Sequence, residues 1–320
     1  MNVLKLILKI LHKLYFLFFY RQRTEFLDYV QLKDQDANDY IREQLRLGKP
    51  LLISKFGSIE LMALLQHLKH QQKKYPLSDI VDYVTLRIPS LWWDEGINEL
   101  CTNAGFFPND KSLLAPFFDE YQSAMKQVDI LGSYIYGEKF FDKELSGAKK
   151  INLDGYYAPF FWKNPWTSQL RNKKVLIVHP FAEDIEKQYA KRSKLWKDPD
   201  ILPDFELKTY KAVQSMLNTK TEFNTWFDAL EKMKKDISNI DFDIALVGCG
   251  AYGMPLAAHI KKMNKQVIHT AGWTQILFGI IGKRWEDDPR VSKFINESWI
   301  RPSKNNIPQN SEKVEQGCYW

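Results

Sequence analysis

A chain of 320 residues with 45% hydrophobic and 26% charged side chains can bury a substantial core, which excludes an intrinsically disordered chain or a disulfide-stapled mini-fold. Its net charge of +6 and pI near 8.9 are too mildly basic to mark a nucleic-acid binder, so no nucleic-acid partner is expected; they suit phosphate-bearing ligands or an anionic membrane surface. Three scattered cysteines, Cys101, Cys249 and Cys318, offer neither zinc-ligand spacing nor an even disulfide count, and point to a reducing, cytoplasmic compartment.

The chain begins MNVLKLILKILHKLYFLFFY, with Lys5, Lys9 and Lys13 four residues apart on one helix face among Leu, Ile and Phe. Three charges in so short a run argue against a membrane span, and no small-residue cleavage site follows. With Arg21 and Arg23 next, residues 1–24 read as a basic amphipathic helix lying in a membrane interface; the alternative is a helix packed on the body of the protein. Residues 25–300 read as one α/β domain with an N-terminal lobe to about 170 and a C-terminal lobe 171–300, and residues 301–320 as a tail.

Val30–Gly48 reads as a polar helix, stopped by Lys49-Pro50, and Leu51–Ser54 as a strand. Gly57 then marks a turn, with Ser58 a suitable N-cap for a helix to about His70. Asp79 to Leu153 reads as mostly helical with turns. The second half alternates more regularly: strands at Lys174–Val178, Glu206–Tyr210, Asp243–Val247 and Gln266–Thr270, with helices to about Ala190, over Thr221–Ile237, and from Met254 to about Met263. Short apolar strands alternating with helices predict a Rossmann-like parallel sheet flanked by helices, with ligands at the carboxyl ends of the strands.

Two turns at such strand ends carry the candidate chemistry. Gly248-Cys249-Gly250-Ala251-Tyr252-Gly253 matches G-x-G-x-x-G between a strand and a helix; glycines let the backbone approach a ligand, and a helix start favours an anion such as phosphate. The acid that a dinucleotide site places about 20 residues on is absent, since Ile268, His269 and Thr270 stand there and the next acid is Glu286. The other turn is Lys55-Phe56-Gly57-Ser58-Ile59-Glu60, which puts Glu60 in the first helical turn, where the helix dipole favours a carboxylate.

Together these turns resemble the GT-D-fold glycosyltransferases of bacterial polysaccharide and glycoprotein-glycan assembly. Members carry an Arg-Phe-Gly-Asp-Gly-Glu stretch after an early strand, its Asp-x-Glu implicated in binding a metal and a nucleotide sugar. Phe56, Gly57 and Glu60 match it, Lys55 stands for the Arg, and Ser58 stands where the Asp would be. That change removes one hard oxygen anion, so the resemblance implies Mg²⁺ or Mn²⁺ held by Glu60 and the ligand alone, if a metal is used. Asn103–Pro108, Tyr156-Tyr157 with Asn164-Pro165-Trp166, Lys174–Phe181, Gly248–Gly253, Gly279–Trp285 and Gly317–Trp320 are similar to a subgroup encoded with capsule and lipopolysaccharide genes.

The resemblance implies a glycosyltransferase moving a sugar from a nucleotide-diphosphate donor to a glycan or lipid-linked acceptor, at the inner face of the cell membrane. Lys55, Gly57, Ser58, Gly248, Gly250, Tyr252, Gly253 and His269 would contact the donor, and Lys283 and Arg284 would neutralise its diphosphate. Glu60 would bind the metal or donor sugar, and His179 or Asp154 would deprotonate the acceptor. Tyr156, Tyr157, Trp162 and Trp166 offer rings for stacking, or ordinary packing. Two other readings stay open: a different nucleotide-dependent enzyme, and a non-catalytic scaffold of a polysaccharide assembly complex.

Overall fold

The computed structural model describes residues 3–19, 29–71, 76–88, 96–308, 311, 317, 319 and 320; Arg21, Arg23 and Cys318 lie outside them. The chain opens with α1 (Val3–Phe19) and α2 (Asp34–Arg46), then β1 (Leu51–Ser54), α3 (Ser58–Gln71), α4 (Leu77–Val84), α5 (Gly96–Asn103) and α6 (Leu114–Met125). Next come β2 (Ile130–Ser133), β3 (Lys149–Asn152), α7 (Leu153–Tyr157), β4 (Lys174–His179), α8 (Ala182–Tyr189), β5 (Glu206–Lys211) and α9 (Trp226–Ile237). The chain continues with β6 (Ile244–Val247), α10 (Gly253–Lys262), β7 (Gln266–Ile268), α11 (Trp273–Leu277), α12 (Lys283–Glu286) and α13 (Pro289–Ser292).

All seven strands are parallel and form one sheet in the order β3-β2-β1-β7-β6-β4-β5, so the fold is the Rossmann-like α/β sandwich that the alternation predicts. The two lobes are halves of this sheet, joined where Leu51, Leu52 and Ile53 of β1 pair with Gln266, Val267 and Ile268 of β7. Side chains alternate across a strand. Leu52, Leu176, Ala245 and Val267 therefore pack with α3, α5, α6, α9 and α10 on one face. Ile53, Ile177, Leu246 and Ile268 pack with α2, α7, α8 and α11 on the other. Both faces are covered, which is why the central strands are built on apolar runs, with polar residues only at their ends.

Four local expectations need correction. β2 and β3 fall inside the stretch read as helical. β2 is four residues ending in Gly-Ser, and β3 (KKIN) is an edge strand with one buried residue, so neither carries a period long enough to see. Ser58 is the first residue of α3 rather than its cap, and the Gly57 carbonyl accepts from the Leu61 N–H at 3.0 Å. α9 starts five residues later than Thr221, because Thr225 and Asp228 form a reciprocal capping box: Asp228 N–H donates to Thr225 Oγ1 at 3.1 Å and Thr225 N–H to Asp228 Oδ2 at 2.9 Å. The segment read as a tail belongs in part to the body. Ser303 and Asn306 donate to the buried Asp184 carboxylate, and Trp320 is buried with its Nε1–H on the Asn306 carbonyl.

No helix among the described residues is long and apolar enough to cross a membrane. α1 packs on α4 through Leu8 and His12.

Candidate functional site

In a doubly wound sheet, ligands bind where neighbouring strands send their connections to opposite faces. β4 and β6 are such neighbours. β4 leads through α8 outward to β5, and β6 leads through α10 inward to β7; α8 and α10 belong to opposite layers, as right-handed crossovers require. A cleft of about 290 Å³ opens over these strand ends and runs along the same edge to β1. That volume is at the lower end for small-ligand sites. Its wall takes in the Lys55–Glu60 turn, Asn103–Gly105, Tyr134, His179–Phe181, Val213–Met216, the Gly248–Gly250 turn with Tyr252, His269, Arg284 and Tyr319-Trp320.

Glu60 is buried, 7% exposed, and its carboxylate folds back over Gly57. A Cβ on residue 57 would sit 1.8 Å from Glu60 Oε2, so glycine there keeps the space that the carboxylate fills. Lys55 Nζ donates to the Phe56 carbonyl at 3.2 Å and stands 5.4 Å above the Tyr134 ring, whose hydroxyl donates to the same carbonyl at 2.9 Å. Burial, and then the negative charge of Glu60, push the Tyr134 hydroxyl well above its ordinary pKa. Arg284 lies over the Tyr319 ring, 5.0 Å from its centroid. The charged side chains of the wall are thus Lys55, Arg284 and Glu60, an excess of one positive charge.

His179 and His269 end β4 and follow β7. Burial drives both pKa values down to about 3, helped at His269 by the positive charge of Lys55, so both rings are neutral at pH 7. His179 Nδ1 accepts the Phe181 N–H at 3.0 Å. The proton of the neutral ring then sits on Nε2, which makes His179 a hydrogen-bond donor and leaves it no open nitrogen with which to act as a base. His269 Nδ1 is 3.0 Å from Ser54 Oγ, and its buried Nε2 has no hydrogen-bond partner among the described residues.

A histidine whose folded pKa lies below its ordinary 6.5 takes its proton more readily in the unfolded chain. Its stabilising contribution is complete above about pH 6.5 and is lost as pH falls toward 3. Each ring is expected to contribute a slope of about 1.4 kcal/mol per pH unit in that window. Glu138, which burial raises to about 7, acts in the opposite direction from about pH 4.5 to 7. The informative comparison is therefore wild type against His179→Asn in urea unfolding between about pH 4 and 6, where the variant's slope should be shallower; equal slopes would mean that the ring is not held neutral.

The three glycines of the turn serve internal contacts. A Cβ on Gly248 would lie 2.4 Å from the Ala271 carbonyl oxygen and 2.5 Å from Thr274 Oγ1; one on Gly253 would lie 2.1 Å from His269 Nε2. Gly250 has φ +57°, and its Cβ would lie 2.9 Å from the Ala104 oxygen, which also accepts the Ala251 N–H at 3.0 Å. The Ala104 carbonyl thus occupies the Ala251 N–H that a Rossmann dinucleotide site would offer to a pyrophosphate, while Gly248–Gly250 still line the cleft. Gly248→Ala is expected to destabilise the fold by about 1–3 kcal/mol through overpacking against backbone, measurable as a lower urea midpoint.

Of the other sequence candidates, Gly57, Ser58 and Tyr252 line the cleft and Gly253 does not. The Tyr252 hydroxyl is 3.0 Å from Ser215 Oγ, which also donates to the Gly105 carbonyl. Lys283 and Arg284 are both exposed and Arg284 alone of the pair lines the cleft, because successive residues of a short helix diverge in direction. Asp154 is off the wall: it accepts from the Tyr157 hydroxyl at 2.7 Å and pairs with Arg290 of α13 at 3.2 Å. Tyr156 and Trp166 are fully buried, and Tyr157 stacks on Trp273 at 4.1 Å between centroids; these rings pack the fold and do not line the cleft. Burial pushes the Cys249 thiol far above its ordinary pKa, which rules out a thiolate nucleophile there at neutral pH.

Among the described residues no group of three His, Cys, Asp or Glu is placed to hold a metal ion. A divalent cation bound at Glu60 would have to draw its remaining oxygen ligands from a bound ligand and water. Tyr134 and Ser215 enter the wall from outside every motif of the sequence, whereas Tyr319 belongs to the Gly317–Trp320 stretch; Tyr134 follows β2, and an apolar pair ending in Gly-Ser is its only local signal. Comparison of the chain with protein-family models, with curated proteins and with solved structures finds no match.

Proposed function

We propose that the cleft takes a nucleotide-diphosphate sugar and that the protein is a glycosyltransferase, moving the sugar to a hydroxyl of a glycan or lipid-linked acceptor in bacterial surface-polysaccharide synthesis. One observation carries this reading: Lys55, Arg284, the neutral His179 and the Glu60 carboxylate converge on one cleft at the topological switch point. In the transfer the acceptor hydroxyl oxygen bonds to the anomeric carbon as the bond from that carbon to the diphosphate breaks; the electron pair leaves with the diphosphate, and the hydroxyl proton passes to the departing diphosphate. Lys55 and Arg284 supply positive charge for that leaving group, and His179 Nε2–H supplies a hydrogen bond, in a site where the donors are already in place. Glu60 is the carboxylate available to hold Mg²⁺ or Mn²⁺ against the diphosphate, or to hold the hydroxyls of the donor sugar. Acceptors of this class are built at the inner face of the cell membrane, which is where the proposal places the protein.

A non-catalytic scaffold is the second reading, and Ser58 in place of a carboxylate favours it. Thermal shift separates them, because a ligand that binds only the folded state raises Tm. The purified protein is screened against nucleoside diphosphates, nucleotide sugars and NAD(P), each with and without Mg²⁺ or Mn²⁺. A rise with a nucleotide sugar that is lost in Arg284→Gln is the expected result. A rise with NAD(P) alone would overturn the transferase reading, and silence toward every ligand would favour the scaffold.

A further inference from the structure

One buried acid close to the cleft takes no part in the proposed transfer. Glu138 is fully buried in the short 3-10 helical turn Tyr136–Phe141 that follows β2. Its side chain reaches back along the chain, and Oε1 accepts the Tyr134 and Ile135 N–H groups, each at 3.1 Å. Oε2 is also buried and has no hydrogen-bond partner among the described residues. One oxygen that takes both amides and another that takes none suit a neutral acid, whose carbonyl offers two lone pairs; a carboxylate accepts on both oxygens. Tyr134, tied to this acid by its backbone, lines the cleft, and its hydroxyl donates to the Phe56 carbonyl at 2.9 Å, at the head of the Gly57–Glu60 turn. The neighbours of the 3-10 turn are mostly apolar: Leu61 and Leu65 of α3 face Gly137, and Phe56 and Phe118 lie against Phe141. The charge that acts on the Glu138 carboxyl is Lys150 of β3, itself 2.6 Å from Asp142. Lys55, Glu60, Arg284 and Tyr319 act on Tyr134 from the cleft side.

We infer that Glu138 is a positioning residue of the cleft, holding Tyr134 in the wall while it is neutral and loosening that wall when it loses its proton. Burial raises the carboxyl to about 7, against the amide hydrogen bonds and the Lys150 charge, which lower it. Opening the turn to water returns it toward its ordinary 4.5. A carboxyl raised in the closed wall favours closure fully below about pH 4.5, and that advantage is lost as pH rises through about 7. The wall therefore tightens in acid and loosens toward neutral pH. The inference rests on the proposed reading only in taking this cleft to be the binding site.

The test is amide hydrogen exchange of the full chain between about pH 5 and 8, corrected for intrinsic rates and read at Tyr134 and Ile135. In wild type the protection of both amides is expected to fall roughly seventyfold across that range, the ratio set by a carboxyl at about 7 in the closed wall and 4.5 in the open one. Glu138→Gln keeps the shape and the accepting oxygen but cannot ionise, so both amides should hold their protection at every pH. The same fall in this variant, or flat protection in wild type, would overturn the inference. Lys150→Met supplies a second check that leaves Glu138 in place. Without the neighbouring cation the fall should end at a higher pH than in wild type; an unmoved end would assign the titration to another group and overturn the inference. Excess inorganic pyrophosphate tests the reading of the cleft separately. At fixed pH it should raise the protection of both amides, because an anion bound to the closed wall stabilises it. No rise, with the pH-dependent fall intact, would count against the cleft as an anion site and still support the role of Glu138.

Discussion

Lys69→Met is expected to destabilise the fold by about 3–5 kcal/mol. Lys69 Nζ of α3 lies 2.7 Å from Asp79 Oδ1 of α4, with the two side chains 6% and 5% exposed, and it also stands 4.6 Å above the Phe140 ring. Without the cation the Asp79 carboxylate stays buried with nothing to offset its desolvation, and its Oδ2 already lacks a hydrogen-bond partner among the described residues. Urea unfolding should show a lower midpoint at unchanged slope. Lys69→Met/Asp79→Leu, which removes both charges and keeps the volume, should recover most of the loss, because a buried pair replaced by apolar groups is often neutral. A cost below about 1 kcal/mol for the single variant would mean that water reaches the pair and it behaves as a surface bridge. The pair also ties α3, which begins at the cleft's Lys55–Glu60 turn, to α4, on which α1 packs.

Under the transferase proposal, Glu60→Gln is expected to lower turnover by at least about a hundredfold, the scale lost when one positioned group is removed from a reacting site. The substitution is nearly isosteric, and Gly57 still leaves room for it. The stability change should be about 1 kcal/mol or less, since what is lost is a carboxylate in the first turn of α3. Measuring turnover beside Tm separates a chemical from a structural role: a large fall in turnover at near-constant Tm supports the transferase proposal, and wild-type turnover in Glu60→Gln would remove Glu60 from it. The same variant should bring the Tyr134 hydroxyl pKa down from its elevated value, because the Glu60 charge is one of the causes holding it up.

Both turns of the cleft were legible along the chain. Lys55–Glu60 and Gly248–Gly253 each follow a run of buried aliphatics and precede a helix, and short-range physics decides that much: apolar strands end where glycine allows a turn and exposed amides begin a helix. What a glycine is used for is a different matter. The G-x-G-x-x-G spacing says that three positions cannot carry a side chain, and the reason lies in residues far away: Ala271 and Thr274 for Gly248, Ala104 for Gly250, His269 for Gly253. A ligand and a neighbouring carbonyl leave the same imprint on a sequence.

The sequence alone determined the class of the fold, through the apolar runs inside β1, β4, β6 and β7 that must be covered on both faces. It also determined that α1 is amphipathic with a row of lysines. Only the tertiary structure decided which way α1 is turned on α4, that Arg284 and not Lys283 faces the cleft, and that Asp154 is spent on Arg290. Only the pairing of β1 with β7 set Ser54 against His269 across 215 residues, and so put the Glu60 turn and the late histidine in one site. The reason is common to all of these: periodicity and turn chemistry report what a residue does within a few neighbours, whereas the direction of a side chain in a short helix, the partner of a buried charge and the neighbour of a strand are chosen by packing between segments that no local pattern connects.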